Sequence, residues 1–274
     1  MSGDIVLTSG VRANLLQLQK TSDLITSTQT RLATGKRVNN ALDNPVNFFT
    51  AQGLQNRASD LSSLLDSMSN AFNTIQAANN GITSITKLVQ SAQALVSQAQ
   101  QTSDTAVRTS LSGQFGDIMT QIDQLAADSG FNGINLLDST SSSDLTVTLN
   151  ETGTSSVTVA AVDFSTAGDL AVNNAVNNWG AVADITAAST DLTNALTTLR
   201  SQAQSFGSNL STVQIRQEFT KAMINTLQTG ADGLTLADPN EEGANLLALQ
   251  TRQQLSTTAL SLASQASQAV LRLF

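Results

Sequence analysis

The chain has 274 residues, enough for about two domains and for a core without staples, and contains neither cysteine nor histidine. That excludes a disulfide framework, thiol redox chemistry, Cys-ligated zinc and the usual neutral-pH acid/base group. A net charge of −8 argues against a nucleic-acid partner, which calls for a basic patch. Only 12% of residues are charged, about half the ordinary share of roughly 25%. Ser, Thr, Gln and Asn fill the polar positions instead, which suggests faces meant to be packed rather than wet; the alternative is an unusual but soluble polar surface. No apolar run approaches the length of about 18 that a membrane span needs. Met1 to Arg12 lacks the basic-then-apolar pattern of a cleavable signal peptide, so the protein either stays in the cytoplasm or leaves by a route that uses none.

Val11, Leu15, Leu18, Ser22, Ile25, Gln29 and Leu32 recur at alternating steps of four and three, the spacing of a bundle-type helix with a weak seam. Gly35 is a plausible stop after it, with Lys36 and Arg37 near the helix's negative end. Residues 35–43 read as a linker. Asn44-Pro45 then opens a helix, Asn as the cap and Pro at the first helical position. From there Leu61, Leu65, Met68, Phe72, Ile75, Asn79, Ile82, Thr86, Val89, Gln93 and Val96 form a long seam that Gly81 weakens without ending.

A break at Thr102-Ser103-Asp104 precedes a shorter helix with Val107, Leu111, Phe115, Ile118, Ile122 and Leu125, which stops near Ser129-Gly130. Phe131 to Leu137 is turn-like, with two leucines to bury. Leu145, Val147 and Leu149, then Val157, Val159 and Ala161, alternate with small polar residues and predict a β-hairpin, the only strand signal in the chain. Residues 168–180, with the single Trp179, read as irregular. A third long seam follows: Ile185, Ser189, Leu192, Leu196, Leu199, Ala203, Phe206, Leu210, Val213, Gln217, Thr220, Ile224 and Leu227. That helix would be roughly 65 Å long. It is expected to end before Gly230 and Gly233.

Asp238-Pro239-Asn240-Glu241 opens the last helix, with Asp as the cap and Glu placed to reach back to it. Its seam runs Leu246, Leu249, Leu255, Ala259, Leu262, Ala266, Val270 and Leu273, and Arg252 is its only charge from Gly243 to Leu271. A thinly charged helix thus lies at each end of the chain, each joined to a long helix. The expected fold is mainly α: a long antiparallel helical bundle or coiled coil with a small β-hairpin insertion and the termini together.

Several motifs carry a resemblance. Leu18-Gln19-Lys20-Thr21 through Arg31-Leu32-Ala33-Thr34-Gly35-Lys36-Arg37-Val38-Asn39-Asn40-Ala41-Leu42-Asp43 resembles the N-terminal signature of bacterial flagellins. Phe131-Asn132-Gly133 with Leu136-Leu137 is similar to the flagellin motif ahead of the variable region. The tail from Ala237, with Ala263-Ser264-Gln265-Ala266 and Val270-Leu271-Arg272-Leu273, is similar to the flagellin C-terminus. The match covers roughly 1–137 and 182–274 in the right order, and the motifs are specific together rather than singly. The joints at 43–49 and 237–241 depart from the usual pattern. Leu88 to Ala99 carries no charge where the family stretch read by animal innate receptors is rich in arginine and glutamate, which argues against that recognition.

The resemblance implies a subunit that self-assembles into the bacterial flagellar filament, leaving the cell through the flagellum's own secretion channel. It assigns 1–43 and 236–274 to the inner core, 44–137 and 182–235 to a helical rod, and 138–181 to a short variable region. It implies as partners sister copies, the export apparatus, an export chaperone, the cap and hook-associated proteins, with neither membrane nor nucleic acid. The candidate packing residues are Val11, Leu15, Leu18, Ile25, Leu32, Leu246, Leu249, Leu262, Val270 and Leu273; the alternative is that they only close a private two-helix coiled coil. Arg31, Lys36, Arg37 and Asp43 are either inter-subunit polar contacts at the connector or a solvated linker.

Two other readings remain, a hook–filament junction protein and a secreted type III translocator-like coiled coil; the second needs membrane-seeking segments that the sequence lacks. Asp232, Asp238, Glu241 and Glu242 match no calcium loop. Without a nucleophile–base, phosphate-cradling or paired-carboxylate arrangement, no enzyme, cofactor or metal site is expected.

Overall fold

Where this chain starts and stops its helices is settled by a few capping residues. The computed structural model, which describes residues 9–271 and all their side chains except those of Ser267, Val270 and Leu271, contains five α-helices, one 3-10 turn at Val176–Trp179 and one two-stranded sheet. The α-helices and strands are α1 (Ser9–Thr34), α2 (Pro45–Gln101), α3 (Thr105–Asp128), the strands β1 (Leu145–Thr148) and β2 (Ser156–Val159), α4 (Val182–Thr235) and α5 (Pro239–Leu271). Gly35, at φ +68°, ends α1 in the left-handed conformation that glycine adopts most cheaply. Asn44 Oδ1 accepts the Asn47 N–H at 3.0 Å and Pro45 opens α2. Asp104 caps α3 by accepting from Ala106 and Val107.

Asp238 Oδ1 accepts from Asn240 at 2.8 Å and Glu241 at 3.4 Å, and Pro239 opens α5. Both prolines thus open helices, as expected from their missing N–H. The far end of α2 is closed by a side chain that the sequence did not single out. Buried Arg108 donates from Nε to the carbonyls of Ala99 and Thr102, at 3.3 and 2.9 Å, satisfying acceptors that the helix end leaves over.

One expectation is corrected: α4 does not stop before Gly230 and Gly233 but runs to Thr235. Neither glycine takes a positive φ, and the buried face continues through Leu227, Ala231 and Thr235. Tertiary burial here overrides the weak helix propensity of glycine.

The chain divides into two compact units, residues 57–225 and residues 1–56 with 226–274. The larger one holds a single hydrophobic core. Along α2 that core takes Met68, Ala71, Ile75, Ala78, Ile82, Ile85, Val89, Ala92, Val96 and Ala99. The expected seam caught every second stop but stepped to Phe72, Asn79, Thr86 and Gln93, which are half-buried; the alanines on the other flank are the buried ones. On α4 every expected stop from Ile185 to Leu227 is buried or half-buried, with Ala188 and Ala195 added. From α3 come Leu111, Phe115, Met119, Ile122 and Ala126.

The hairpin forms as expected, antiparallel, with Leu145 opposite Val159 and Val147 opposite Val157. It turns Leu145, Val147, Leu149 and Val159 into the core, and an Arg57–Glu151 ion pair ties its tip to α2. Between α3 and the hairpin, Phe131 and Ile134 exchange backbone hydrogen bonds at 2.8 and 3.0 Å across a tight turn. Asn132 and Gly133 make that turn with positive φ, and Leu136 and Leu137 beyond it are fully buried. Gly81 has a use here that its helix position concealed. A Cβ at Gly81 would lie 2.3 Å from Ser129 Oγ and 2.7 Å from Leu137 Cδ1, so only glycine lets this loop settle on α2.

Candidate subunit-packing surface

The smaller unit is built from both ends of the sequence. The two arms meet where Lys36 and Leu236 form an antiparallel bridge. There Arg37 N–H donates to the Thr235 carbonyl at 2.7 Å and Ala237 N–H to the Gly35 carbonyl at 3.0 Å. Val38 is buried beneath the bridge. From this junction α1 and α5 pack antiparallel along each other.

The seam between them is a regular three-four repeat. On α1 it uses Val11, Asn14, Leu18, Thr21, Ile25, Thr28 and Leu32. On α5 it uses Glu242, Leu246, Leu249, Gln253, Ser256, Leu260 and Ala263. Threonine enters a seam because its γ-methyl packs while its hydroxyl bonds the preceding turn: Thr21 Oγ1 donates to the Gln17 carbonyl at 2.8 Å.

The expected packing residues fall into three groups. Val11, Leu15, Leu18, Ile25, Leu32, Leu246 and Leu249 lie buried or half-buried in this intramolecular seam or beside it. Leu262 is 62% exposed and stands outside it. The side chain of Val270, and all of Leu273, lie outside the described residues. Ser22 and Gln29, on the expected α1 seam, are exposed, and Thr21 and Thr28 take their places.

Leu16, Leu24, Leu247 and Leu255 are also exposed, at 51–67%. These leucines turn to solvent on two adjoining helices, and among the described residues they stay exposed. For three of them the sequence holds a signal: Leu15-Leu16, Leu24-Ile25 and Leu246-Leu247 are neighbouring apolar pairs. Adjacent helix positions lie about 100° apart, so one member of each pair must leave the seam. The expected α5 seam is corrected beyond Leu249: Leu255, Ala259, Leu262 and Ala266 are exposed, and the steps of four and three lead instead to Gln253, Ser256, Leu260 and Ala263.

The connector residues are largely engaged within the chain. Arg31 Nη1 meets Glu242 Oε1 at 3.1 Å, and the Glu242 side chain is only 8% exposed. Glu242 sits in the first turn of α5, where the helix dipole also favours negative charge. Asp43 accepts the backbone N–H groups of Asn39 at 2.9 Å and Asn40 at 3.1 Å, folding the linker on itself. Lys36 and Arg37 are exposed.

Two carboxylates, those of Asp138 and Glu151, are held below their ordinary range. Asp138 is lowered by hydrogen bonds from the hydroxyls of Ser141 and Thr140, and Glu151 by its own backbone N–H and then by Arg57. Among the described residues no cluster of three metal-ligating side chains occurs, and no helix is long and apolar enough to cross a membrane.

Paired helices drawn from both ends of a chain and carrying exposed leucines, together with a separately cored helical unit, define a helical structural protein. The chain belongs to the bacterial flagellin family. Residues 8–142 match the bacterial flagellin N-terminal helical region, and residues 184–274 the C-terminal helical region. It is similar to flagellin FljK of Caulobacter vibrioides, 31% identical over 97% of this chain and 96% of that one. It is also similar to a flagellin of Brucella melitensis biotype 1, 27% identical over 98% of both chains. The crystal structure of Bacillus cereus flagellin aligns with a TM-score of 0.46 at 22% identity, over 60% of this chain and 88% of that one. The protein is a structural subunit of the extracellular flagellar filament and not an enzyme, and nothing in the comparisons favours the hook–filament junction reading.

Proposed function

We propose that the α1–α5 pair is the inner-core element of the filament and completes its burial only against sister copies. On this reading residues 1–43 and 236–274 form the core, 44–137 and 182–235 the surrounding rod, and 138–181 a short outward region. The observation that carries it is the exposure of Leu16, Leu24, Leu247, Leu255 and Leu262 on a pair of helices whose own seam is half polar. Two such helices alone are marginal in water, and stacked copies bury both faces. Val11, Leu15, Leu18, Ile25, Leu32, Leu246 and Leu249 hold the pair together, while Leu262 is available to neighbouring copies, the role also proposed for Val270 and Leu273. Lys36 and Arg37 supply polar contacts at the connector, and Arg31 and Asp43 shape it.

The subunit leaves the cell through the flagellar export apparatus, with an export chaperone. It assembles between hook-associated proteins and the cap. Support for these partners is the family resemblance of the terminal segments.

Deletion of residues 9–34 or 239–271 tests the packing role. The expected product keeps the Trp179 fluorescence and cooperative melting of the larger unit yet forms no filaments, even when seeded with preformed fragments. Seeded filaments growing from either deletion, seen by electron microscopy, would overturn it.

A further inference from the structure

In the larger unit, ahead of α4, Asn177, Asn178 and Trp179 adopt positive φ in succession, at 49°, 49° and 58°. Three non-glycine residues in the left-handed region need something to hold them. Part of the hold is apolar: the Trp179 indole is fully buried with its centroid 5.1 Å from that of Phe115. A phenylalanine would serve that packing equally well, so the indole N–H is left to explain.

Beneath the turn lies a cavity of about 70 Å³, lined by Asn173, Asn174, Trp179, Asp184 and Asp191 among others. Two of these residues carry a fully buried polar atom with no hydrogen-bond partner in the protein, Nε1 of Trp179 and Oδ2 of Asp184. One is a donor and the other an acceptor. Burying either without a partner is costly, and since both residues line the same small cavity, one group that both accepts and donates would satisfy the two atoms together.

We propose that this cavity binds an ordered water, which accepts from the Trp179 indole N–H and donates to Asp184 Oδ2. A metal cation satisfies the carboxylate but confronts the indole N–H, a donor with nothing to accept. An anion faces both Asp184 and Asp191. The Asp191 Oδ2 is already occupied, accepting from Asn173 Nδ2 at 3.0 Å. The space exceeds the roughly 10–15 Å³ that one water's centre requires and is too small for a sugar or nucleotide. The bridge links the left-handed turn to the first turn of α4, where Asp184 also faces the positive end of the helix. It is a pin holding the end of the variable region to the start of the return helix.

Trp179 is the only tryptophan in the sequence, so its indole signals need no assignment. On the full-length monomer, the ultraviolet resonance Raman band that senses indole N–H bonding is expected at its hydrogen-bonded position. In a ¹⁵N-labelled sample a water cross-peak to the indole proton is expected. Asp184→Leu, which fills the space and removes the acceptor, moves the Raman band to its unbonded position and abolishes the cross-peak. Asp184→Asn keeps both with reduced protection of the indole proton from exchange. An unbonded indole in the wild-type chain overturns the proposal, and so does a bonded indole without a water cross-peak, which means a direct Trp179–Asp184 bond. Should Asp184→Leu fail to fold, the wild-type and Asp184→Asn spectra decide alone.

Discussion

The two units of this flagellin share a thinly charged helical composition and a heptad-like repeat, yet they bury very different things. The larger one encloses Trp179, Phe115, Phe164, Phe206, Met68 and Ile75 completely. In the smaller one the buried positions of α1 are Val11, Thr21, Ile25 and Thr28, two of them threonines. The polar flank of the α5 seam brings in Glu242, Gln253 and Ser256. Leu42 in the connector and Val46 and Phe49 at the start of α2 are exposed at 95%, 74% and 64%, adding to the exposed leucines. A repeat fixes where a seam runs; only side-chain volume on both flanks determines whether the chain alone can fill it.

The sharpest way to break this contrast is to make equivalent truncations in both units. Phe115→Ala should destabilise the larger unit by about 3–5 kcal/mol, read from urea unfolding followed by the fluorescence of Trp179, its ring neighbour. Leu255→Ala and Leu262→Ala should leave monomer stability within about 0.5 kcal/mol, since neither side chain is buried there. In assembly each should raise the critical concentration about tenfold or more, if a leucine buried between copies is worth roughly 1.5–3 kcal/mol. Equal loss of monomer stability in both units would erase the distinction.

Two smaller effects sharpen it. Gly81→Ala, a change that ordinarily favours a helix, should instead cost about 1–3 kcal/mol because the new methyl meets Ser129 and Leu137. Arg31→Ala should weaken the α1–α5 pair by about 1–3 kcal/mol by leaving the nearly buried Glu242 carboxylate without its partner. Amide exchange should then quicken in α1 and α5 and stay unchanged in residues 57–225.

Much of this architecture was readable from residues. Caps at Asn44 and Asp238, the break at Thr102-Ser103-Asp104, the two prolines, Gly35 and the hairpin alternation are local signals, and local chemistry fixes helix ends and turns. What escaped was long-range. Alanines 71, 78, 92 and 99 look too small to mark a seam, and their value lies in letting another helix come close. Gly81 read as a weakness because Ser129 and Leu137 approach it from about fifty residues away. Thr21 and Thr28 do not stand out because they are polar, although a helical threonine that bonds its own backbone, as Thr21 does, presents mainly a methyl. In the packing surface the termini themselves stand out, while Leu16, Leu24 and Leu247 each adjoin an apolar neighbour, and one helix gives no sign of which of the two its partner will cover; Leu255 and Leu262 are expected on the seam and lie outside it.

The smallest expected effect concerns the hairpin, the part of the larger unit least covered by core. Glu151 and Asp138 both have carboxyls held below their ordinary value in the folded chain. A depressed folded pKa means the ionised form is bound more favourably than in the unfolded chain. Its stabilisation is therefore fully present above the unfolded value of about 4 and is lost as the pH falls through the lower folded value. Both groups are close to solvent, which screens the contribution strongly. Between pH 5 and pH 3 the Arg57–Glu151 tie and the Asp138 turn should loosen, with exchange of the hairpin amides accelerating while those of α2 and α3 hold. Glu151→Gln should remove the part due to Glu151 and leave a shallower dependence from Asp138. Unchanged hairpin exchange across that range would mean that the buried row of Leu145, Val147 and Val159 holds the strands without help from either carboxylate.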